Sequence, residues 1–210
     1  MSNVKIINLT DVSIYLMEAS VNLIDTYLKT LNPSEKNRLK AIKHPEKKLE
    51  YAASRYLKHQ LFGSEELFYD DSGSPYLERS GFISISHSKK YVAIGTCDSF
   101  EIGIDIEEIN QKALLVQHKF VNEKEKSIFN IHSAKEMTLL WSFKETLYKL
   151  SDRNQLIFKT DLQVTKTKSK YLGKTLTTKG FKETILEFIE FDGFLITCNQ
   201  TKLQLLHEHS

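Results

Sequence analysis

Only two cysteines occur in the 210 residues, Cys97 and Cys198, each closing an apolar run that reads as a strand. Two isolated cysteines supply neither a disulfide framework nor a zinc ligand set, so both are expected as buried, reduced thiols. No stretch approaches the roughly 18 apolar residues of a membrane span. The opening Met1-Ser2-Asn3-Val4-Lys5 also lacks the basic and apolar regions of a secretory leader, so a cytoplasmic protein is expected. A Gly-x-x-x-x-Gly-Lys loop and a Gly-x-Gly-x-x-Gly fingerprint are both missing, which argues against a nucleotide triphosphatase or a dinucleotide enzyme. There is no low-complexity tract and no short repeat. Hydrophobic content of 40% and charged content of 27% are ordinary for a soluble globular chain long enough to bury a core.

The net charge of +2 is small, but its distribution is uneven. Between Lys36 and Lys58 eight Lys or Arg residues face two acids, Glu46 and Glu50. A second lysine-rich stretch runs from Lys159 to Lys182 with Asp161 alone opposing it. Such segments are either solvated faces or surfaces for phosphate groups or an acidic partner.

The pattern along the chain is strand-like over 4–17 and helical over 21–31. Asn32-Pro33-Ser34-Glu35 supplies a cap, a proline at the first position and a glutamate that closes a capping box. Pro45 opens a second helix whose Leu49, Ala53, Tyr56, Leu57 and Leu61 share a face before Gly63 ends it. Asp70-Asp71-Ser72-Gly73 reads as a turn, and strands are expected over 82–86, 91–97 and 101–107. Capping boxes at Asn122/Glu125 and Ser133/Glu136 predict helices over 123–131 and 134–150. Strands return at 162–166, 185–191 and 194–198, the last two joined by the hairpin signal Asp192-Gly193. Each half thus reads as helices followed by an antiparallel sheet. The fold class is α+β, with two similar halves, 1–107 and 108–210, and a boundary near 107–112.

Three segments carry chemistry. In Gly103-Ile104-Asp105-Ile106-Glu107 the alternation of a strand puts Asp105 and Glu107 on one face and the isoleucines in the core. That face is either an exposed acidic surface or a site where a hard cation such as magnesium relieves the repulsion. In Trp141-Ser142-Phe143-Lys144-Glu145-Thr146-Leu147-Tyr148-Lys149 the residues Trp141, Glu145 and Lys149 fall at i, i+4 spacing on one helix face. They form a surface ion pair over a packed tryptophan, or a third carboxylate with a cation one turn beyond. Ile85-Ser86-His87-Ser88-Lys89-Lys90 is either a polar hairpin turn or a place where amides, hydroxyls and cations hold a phosphate.

Together, Ile83-Ser84-Ile85-Ser86-His87-Ser88, Gly103-Ile104-Asp105-Ile106-Glu107 and Trp141-Ser142-Phe143-Lys144-Glu145, ending at Lys149, resemble the three signatures of surfactin-type 4′-phosphopantetheinyl transferases. The resemblance covers about residues 33–150. It implies two similar α+β halves with the active site between them. It also implies transfer of the 4′-phosphopantetheine arm of coenzyme A to a serine of an apo acyl or peptidyl carrier protein, a holo-carrier synthase activity. Adenosine 3′,5′-bisphosphate would leave. Asp105, Glu107 and Glu145 match the family's magnesium carboxylates, with manganese a possible substitute. Glu125 falls where the family has a glutamate that helps deprotonate the carrier serine. Lys149 matches the lysine that steadies the phosphate, and Ser86 with His87 a coenzyme A phosphate contact. Arg38, Lys40 and Lys43 lie where basic residues meet the 3′-phosphate, and Arg55 resembles an arginine on the following helix. The implied partners are coenzyme A and a carrier protein of fatty-acid, polyketide or nonribosomal-peptide synthesis, with no nucleic acid and no membrane. A monomer is expected.

Gly73-Ser74-Pro75 stands where the family usually reads Gly-Lys-Pro, so a contact there is expected to be absent or supplied by Lys89 or Lys90. Two other readings compete: a different magnesium enzyme acting on a pyrophosphate, and a non-catalytic relative that binds carrier proteins or coenzyme A. An inactive relative would be expected to lose metal ligands, whereas Asp105, Glu107 and Glu145 are all present.

Overall fold

The computed structural model describes residues 4–151 and 155–206. Strands β1 (Val4–Asn8) and β2 (Ser13–Glu18) pair first, and α1 (Ile24–Thr30) leads to α2 (Pro33–Ala41). The capping box at the start of α2 is reciprocal: Asn32 accepts from the Glu35 amide and Glu35 from the Asn32 amide. Helix α3 (Pro45–Phe62) begins at its proline and stops at Gly63, whose φ of 57° lies in the region open to glycine. Short strands β3 (Phe68–Tyr69) and β4 (Pro75–Tyr76) flank the expected turn, where the Gly73 amide donates to the Asp70 carbonyl. With β5 (Phe82–His87) and β6 (Tyr91–Cys97) they form a sheet in the order β1-β2-β6-β5-β4-β3. Ala53, Tyr56 and Leu57 of α3 cover Ile83, Val92 and Ile94 of this sheet.

A second antiparallel sheet follows. Its strands are β7 (Ile104–Glu108), β8 (Leu162–Thr167), β9 (Lys170–Thr177), β10 (Gly180–Phe191) and β11 (Phe194–Asn199). They run in the order β7-β11-β10-β9-β8, and β12 (Gln204–Leu205) pairs with β10. Between β7 and β8 come α4 (Lys112–Val116) and the long α5 (Ala134–Lys149), capped by the Ser133 hydroxyl. Leu140, Phe143 and Leu147 of α5 pack on Leu162, Val164, Leu186 and Leu195. Asp192 (φ 52°) and Gly193 (φ 79°) turn β10 into β11, as their sequence predicts. The fold is α+β, with two antiparallel sheets and five α-helices among the described residues.

The two sheets share a core in which Ile14, Leu16 and Ala93 meet Ile104, Ile106 and Ile196. The change of sheet falls between Cys97 and Ile104, so the strand bearing Asp105 and Glu107 is built into the second sheet through β11. Its other edge is closed by side chains of β5. The amides of Ile104 and Ile106 donate to the hydroxyls of Ser84 (3.1 Å) and Ser86 (3.3 Å). Gly103, just before β7, lies so close to α5 that an added Cβ would stand 2.5 Å from the Thr146 carbonyl oxygen. Glycine is what lets β7 and α5, the two elements with the candidate carboxylates, approach this far.

Two local expectations change. The helix expected over 123–131 is a single 3-10 turn, Glu125–Ser127, although the Asn122/Glu125 box that signals it does form. Glu125 is drawn inward by partners on β8 and α5, and the chain turns with it. Strand β9 leaves no clear mark in the sequence because its fully buried positions, after Tyr171 on the same face, are Gly173 and Thr175 rather than large apolar residues. A Cβ on Gly173 would stand 2.7 Å from Leu147 of α5, so the helix fills the space a side chain would take. Cys97 and Cys198 are buried and unpaired, and burial pushes the Cys198 thiol up to about 12. Among the described residues no helix is long and apolar enough to cross a membrane.

Candidate active site

Asp105 is the hub. It is 5% exposed, and both carboxylate oxygens are occupied. Oδ1 accepts from Ser86 Oγ at 2.9 Å and from Lys149 Nζ at 3.1 Å, and Oδ2 accepts from Ser142 Oγ at 2.9 Å. Lys149 Nζ also donates to the Ile104 carbonyl at 2.7 Å. Two residues along the strand, Glu107 Oε1 accepts from the Trp141 indole at 2.9 Å. Trp141 and Lys149, two turns apart on α5, therefore both reach β7. Glu145 stands midway between them on the same helix face, half-buried.

Burial, and then the charge of Asp105 beside it, push the Glu107 carboxyl up to about 7. The strand's two carboxylates thus carry a repulsion that Lys149 and two hydroxyls relieve at Asp105, and that the Trp141 indole only partly offsets at Glu107. Oxygen donors with unrelieved negative charge suit a hard divalent cation. No group of three or more His, Cys, Asp or Glu side chains among the described residues is arranged to hold a metal by itself. A magnesium ion here would need phosphate oxygens and water to complete its shell, as this ion commonly does. Asp105 and Glu107 fit as its protein ligands, with Glu145 on the facing helix.

From Lys149 a cleft of about 440 Å³ runs between α3, the 73–75 turn and β5. Its cations are Lys47, Arg55 and Lys149, with the His87 imidazole beside them and Glu50 opposing. Glu50 Oε2 lies 2.7 Å from Lys47 Nζ and 3.1 Å from His87 Nδ1. Desolvation lowers the His87 pKa, against the pull of Glu50, although the side chain keeps 40% exposure at the rim. Arg55 is 5% exposed; it bonds the Tyr69 hydroxyl and lies over the Tyr51 ring at 4.6 Å. Arg38 stacks 4.3 Å over the Tyr69 ring but does not itself line this cleft. A cleft this cationic, walled by aromatic rings, suits an anion that also carries a flat group.

Not every candidate converges here. Lys40 and Lys43 are exposed and outside the cleft lining, whereas Lys47, which the sequence does not set apart, lines it. Its position, one turn before Glu50 on the face of α3 that carries Ser54 and Arg55, is the signal that marks it. Ser86 is buried and committed to Asp105 and the Ile106 amide, so it holds the hub in place. Glu125 is 0% exposed and lines none of these clefts; it accepts from Lys144 and from the Asn122 and Val164 amides. Lys90 is paired with Asp192 at 2.6 Å. On the far side of Ser74 a second cleft of about 470 Å³ shares Lys149 with the first and adds Lys179 and Lys182.

No curated protein matches the chain. Residues 101–198, the stretch that includes Asp105, Glu107, Glu125, Glu145 and Lys149, match the family model of the 4′-phosphopantetheinyl transferase superfamily.

Proposed function

We propose that the protein transfers the 4′-phosphopantetheine arm of coenzyme A to a serine of an apo carrier protein. One observation supports this above others: the Asp105–Glu107 strand is bonded to the Trp141–Lys149 face of α5 at the mouth of a cationic cleft. In this reading the adenosine end of coenzyme A lies in the 440 Å³ cleft, with Lys47 and Arg55 toward its 3′-phosphate. Lys179 and Lys182 supply, beside Ser74, the positive charge that a lysine gives the family at that turn.

The serine oxygen attacks the phosphorus that bears pantetheine. The bond from that phosphorus to the bridging oxygen breaks, and adenosine 3′,5′-bisphosphate leaves with the electron pair. Asp105, Glu107 and Glu145 would hold a magnesium ion, which when bound neutralises the pyrophosphate and the charge growing on the leaving oxygen. Lys149, already fixed by Asp105 and the Ile104 carbonyl, aims its ammonium at the transferring phosphate. The serine proton passes to a cleft-facing carboxylate or to water, since a base must lie within hydrogen-bond reach.

Incubation with coenzyme A, magnesium and several apo carriers, followed by intact-mass measurement, tests the reaction. A carrier that gains one phosphopantetheine supports it. Release of both halves of coenzyme A to water would instead identify a pyrophosphatase, and binding without turnover a non-catalytic relative. The cleft itself gives a second expectation. Lys47→Ala should raise the KM for coenzyme A by about tenfold with kcat little changed, as for lost ground-state binding. The Lys40→Ala/Lys43→Ala protein should stay within roughly twofold of wild type, since neither side chain lines the cleft. Equal KM effects in the two proteins would move the phosphate site out of the cleft.

A further inference from the structure

Lys144 and Glu125 form an ion pair at 2.9 Å whose side chains are 0% and 1% exposed. All three ammonium donors of Lys144 are used: one on Glu125, one on the Phe120 carbonyl (2.5 Å) and one on the Phe158 carbonyl (2.9 Å). Phe120 and Phe158 are the two residues whose rings enclose Trp141, with centroids at 5.3 and 5.2 Å. Trp141 in turn donates to Glu107 at 2.9 Å. Glu125 meanwhile fixes the Asn122 and Val164 amides, tying the 120–125 loop to β8.

We infer that Glu125 acts as a positioning residue rather than as the acceptor of the serine proton. Paired with Lys144, it clamps the backbone at Phe120 and Phe158, whose rings orient Trp141, whose indole orients Glu107. The inference rests on the transferase reading for the role of Glu107, but the contacts themselves do not. A carboxylate with no exposed surface, already committed to Lys144 and two backbone amides, is not placed to meet a hydroxyl arriving from a carrier protein. A clamp of this kind instead sets the direction of a metal carboxylate, and losing such outer partners typically costs 10- to 100-fold in metal affinity.

Trp141 is the sole tryptophan, so its emission reports on this site alone. With coenzyme A present, magnesium titration of the wild-type protein should give a saturable change in emission. In Lys144→Met the half-saturating magnesium concentration should rise about 10- to 100-fold, while the KM for coenzyme A stays put. Trp141→Phe keeps an aromatic ring between Phe120 and Phe158 but loses the indole N–H together with its five-membered ring, so it reads the same step should Lys144→Met fail to fold. Its magnesium requirement for transfer should rise likewise. An unchanged magnesium requirement in either folded variant overturns the relay. The Glu125→Gln/Lys144→Met protein, with both charges removed, should keep kcat within roughly tenfold of wild type at saturating magnesium. A folded double variant that loses a proton acceptor's share of about 10²–10⁴-fold at every magnesium concentration would restore Glu125 as the base. Should wild type transfer no pantetheine, the transferase reading fails, and the emission titration still decides the relay.

Discussion

Asp105→Asn is expected to cut pantetheine transfer on the order of a hundredfold or more, the scale of losing electrostatic stabilisation of a transferring phosphoryl group. The substitution keeps the shape and removes one negative charge from the place where Ser86, Ser142 and Lys149 converge. A hard cation bound through few protein ligands depends strongly on each carboxylate, so excess magnesium should recover part of the activity. Two stability effects oppose each other. Lys149 loses a charge-assisted bond, a cost of about 1.5–3 kcal/mol at most. Glu107 loses the neighbouring charge that helps push it up to about 7, and the Ser86 and Ser142 hydroxyls can rotate to suit an amide. The melting temperature should therefore move by only a few degrees. Glu145→Gln should behave similarly in activity, and the double variant should be little worse than either, because in the proposed mechanism both act through one ion. An Asp105→Asn protein that folds and modifies its carrier at the wild-type rate would remove the centre from this site.

Much of this site is legible in the amino-acid sequence, and the legible parts share a cause. The alternation of Asp105 and Glu107 with Ile104 and Ile106 is local strand geometry, and the spacing of Trp141, Glu145 and Lys149 is local helix geometry. The Asn32/Glu35 box and the Asp192-Gly193 hairpin are equally local. What stays hidden depends on partners far along the chain. The serines of β5 look like polar alternation, and only packing shows that they close the edge of β7. Lys144 lies between Phe143 and Glu145 and reads as one more helical lysine. Yet Leu140, Phe143, Lys144 and Leu147 form one stripe at i, i+3, i+4 and i+7, and all four are 0% exposed. A cation on the apolar stripe of a helix signals a buried partner, and Glu125, between the buried Val121 and Phe129, carries the matching sign. Lys47 escapes notice for the opposite reason: it is an exposed lysine within a run of eight basic residues, and only packing shows that it lines the cleft.

Removing the Lys144 ammonium should be the most damaging single change to stability. Lys144→Ala leaves the Glu125 carboxylate buried without its counter-ion and the Phe120 and Phe158 carbonyls without a donor. Breaking a buried pair from one side costs about 3–5 kcal/mol, against a total stability of roughly 5–15 kcal/mol for a natural domain. For a chain of this size each kcal/mol shifts the melting temperature by about 2–4 °C. A fall of roughly 6–20 °C in a thermal scan is therefore expected. The pH dependence identifies the cause. Burial raises the Glu125 pKa, and the Lys144 charge is the largest influence opposing it, so in the variant it rises further. A carboxyl whose folded pKa exceeds its unfolded value takes up protons on folding, so stability falls as pH rises through that interval. Lys144→Ala should accordingly regain stability as pH falls from neutral into the mildly acidic range, with a steeper slope than wild type over the same range. Glu125→Gln/Lys144→Met removes both charges, and the methionine fills most of the volume, so it should recover at least half of the loss. A Lys144→Ala protein whose deficit is the same at both ends of that pH range would mean that the stranded charge is not what destabilises it. The lost packing of the lysine stem would then be the whole effect.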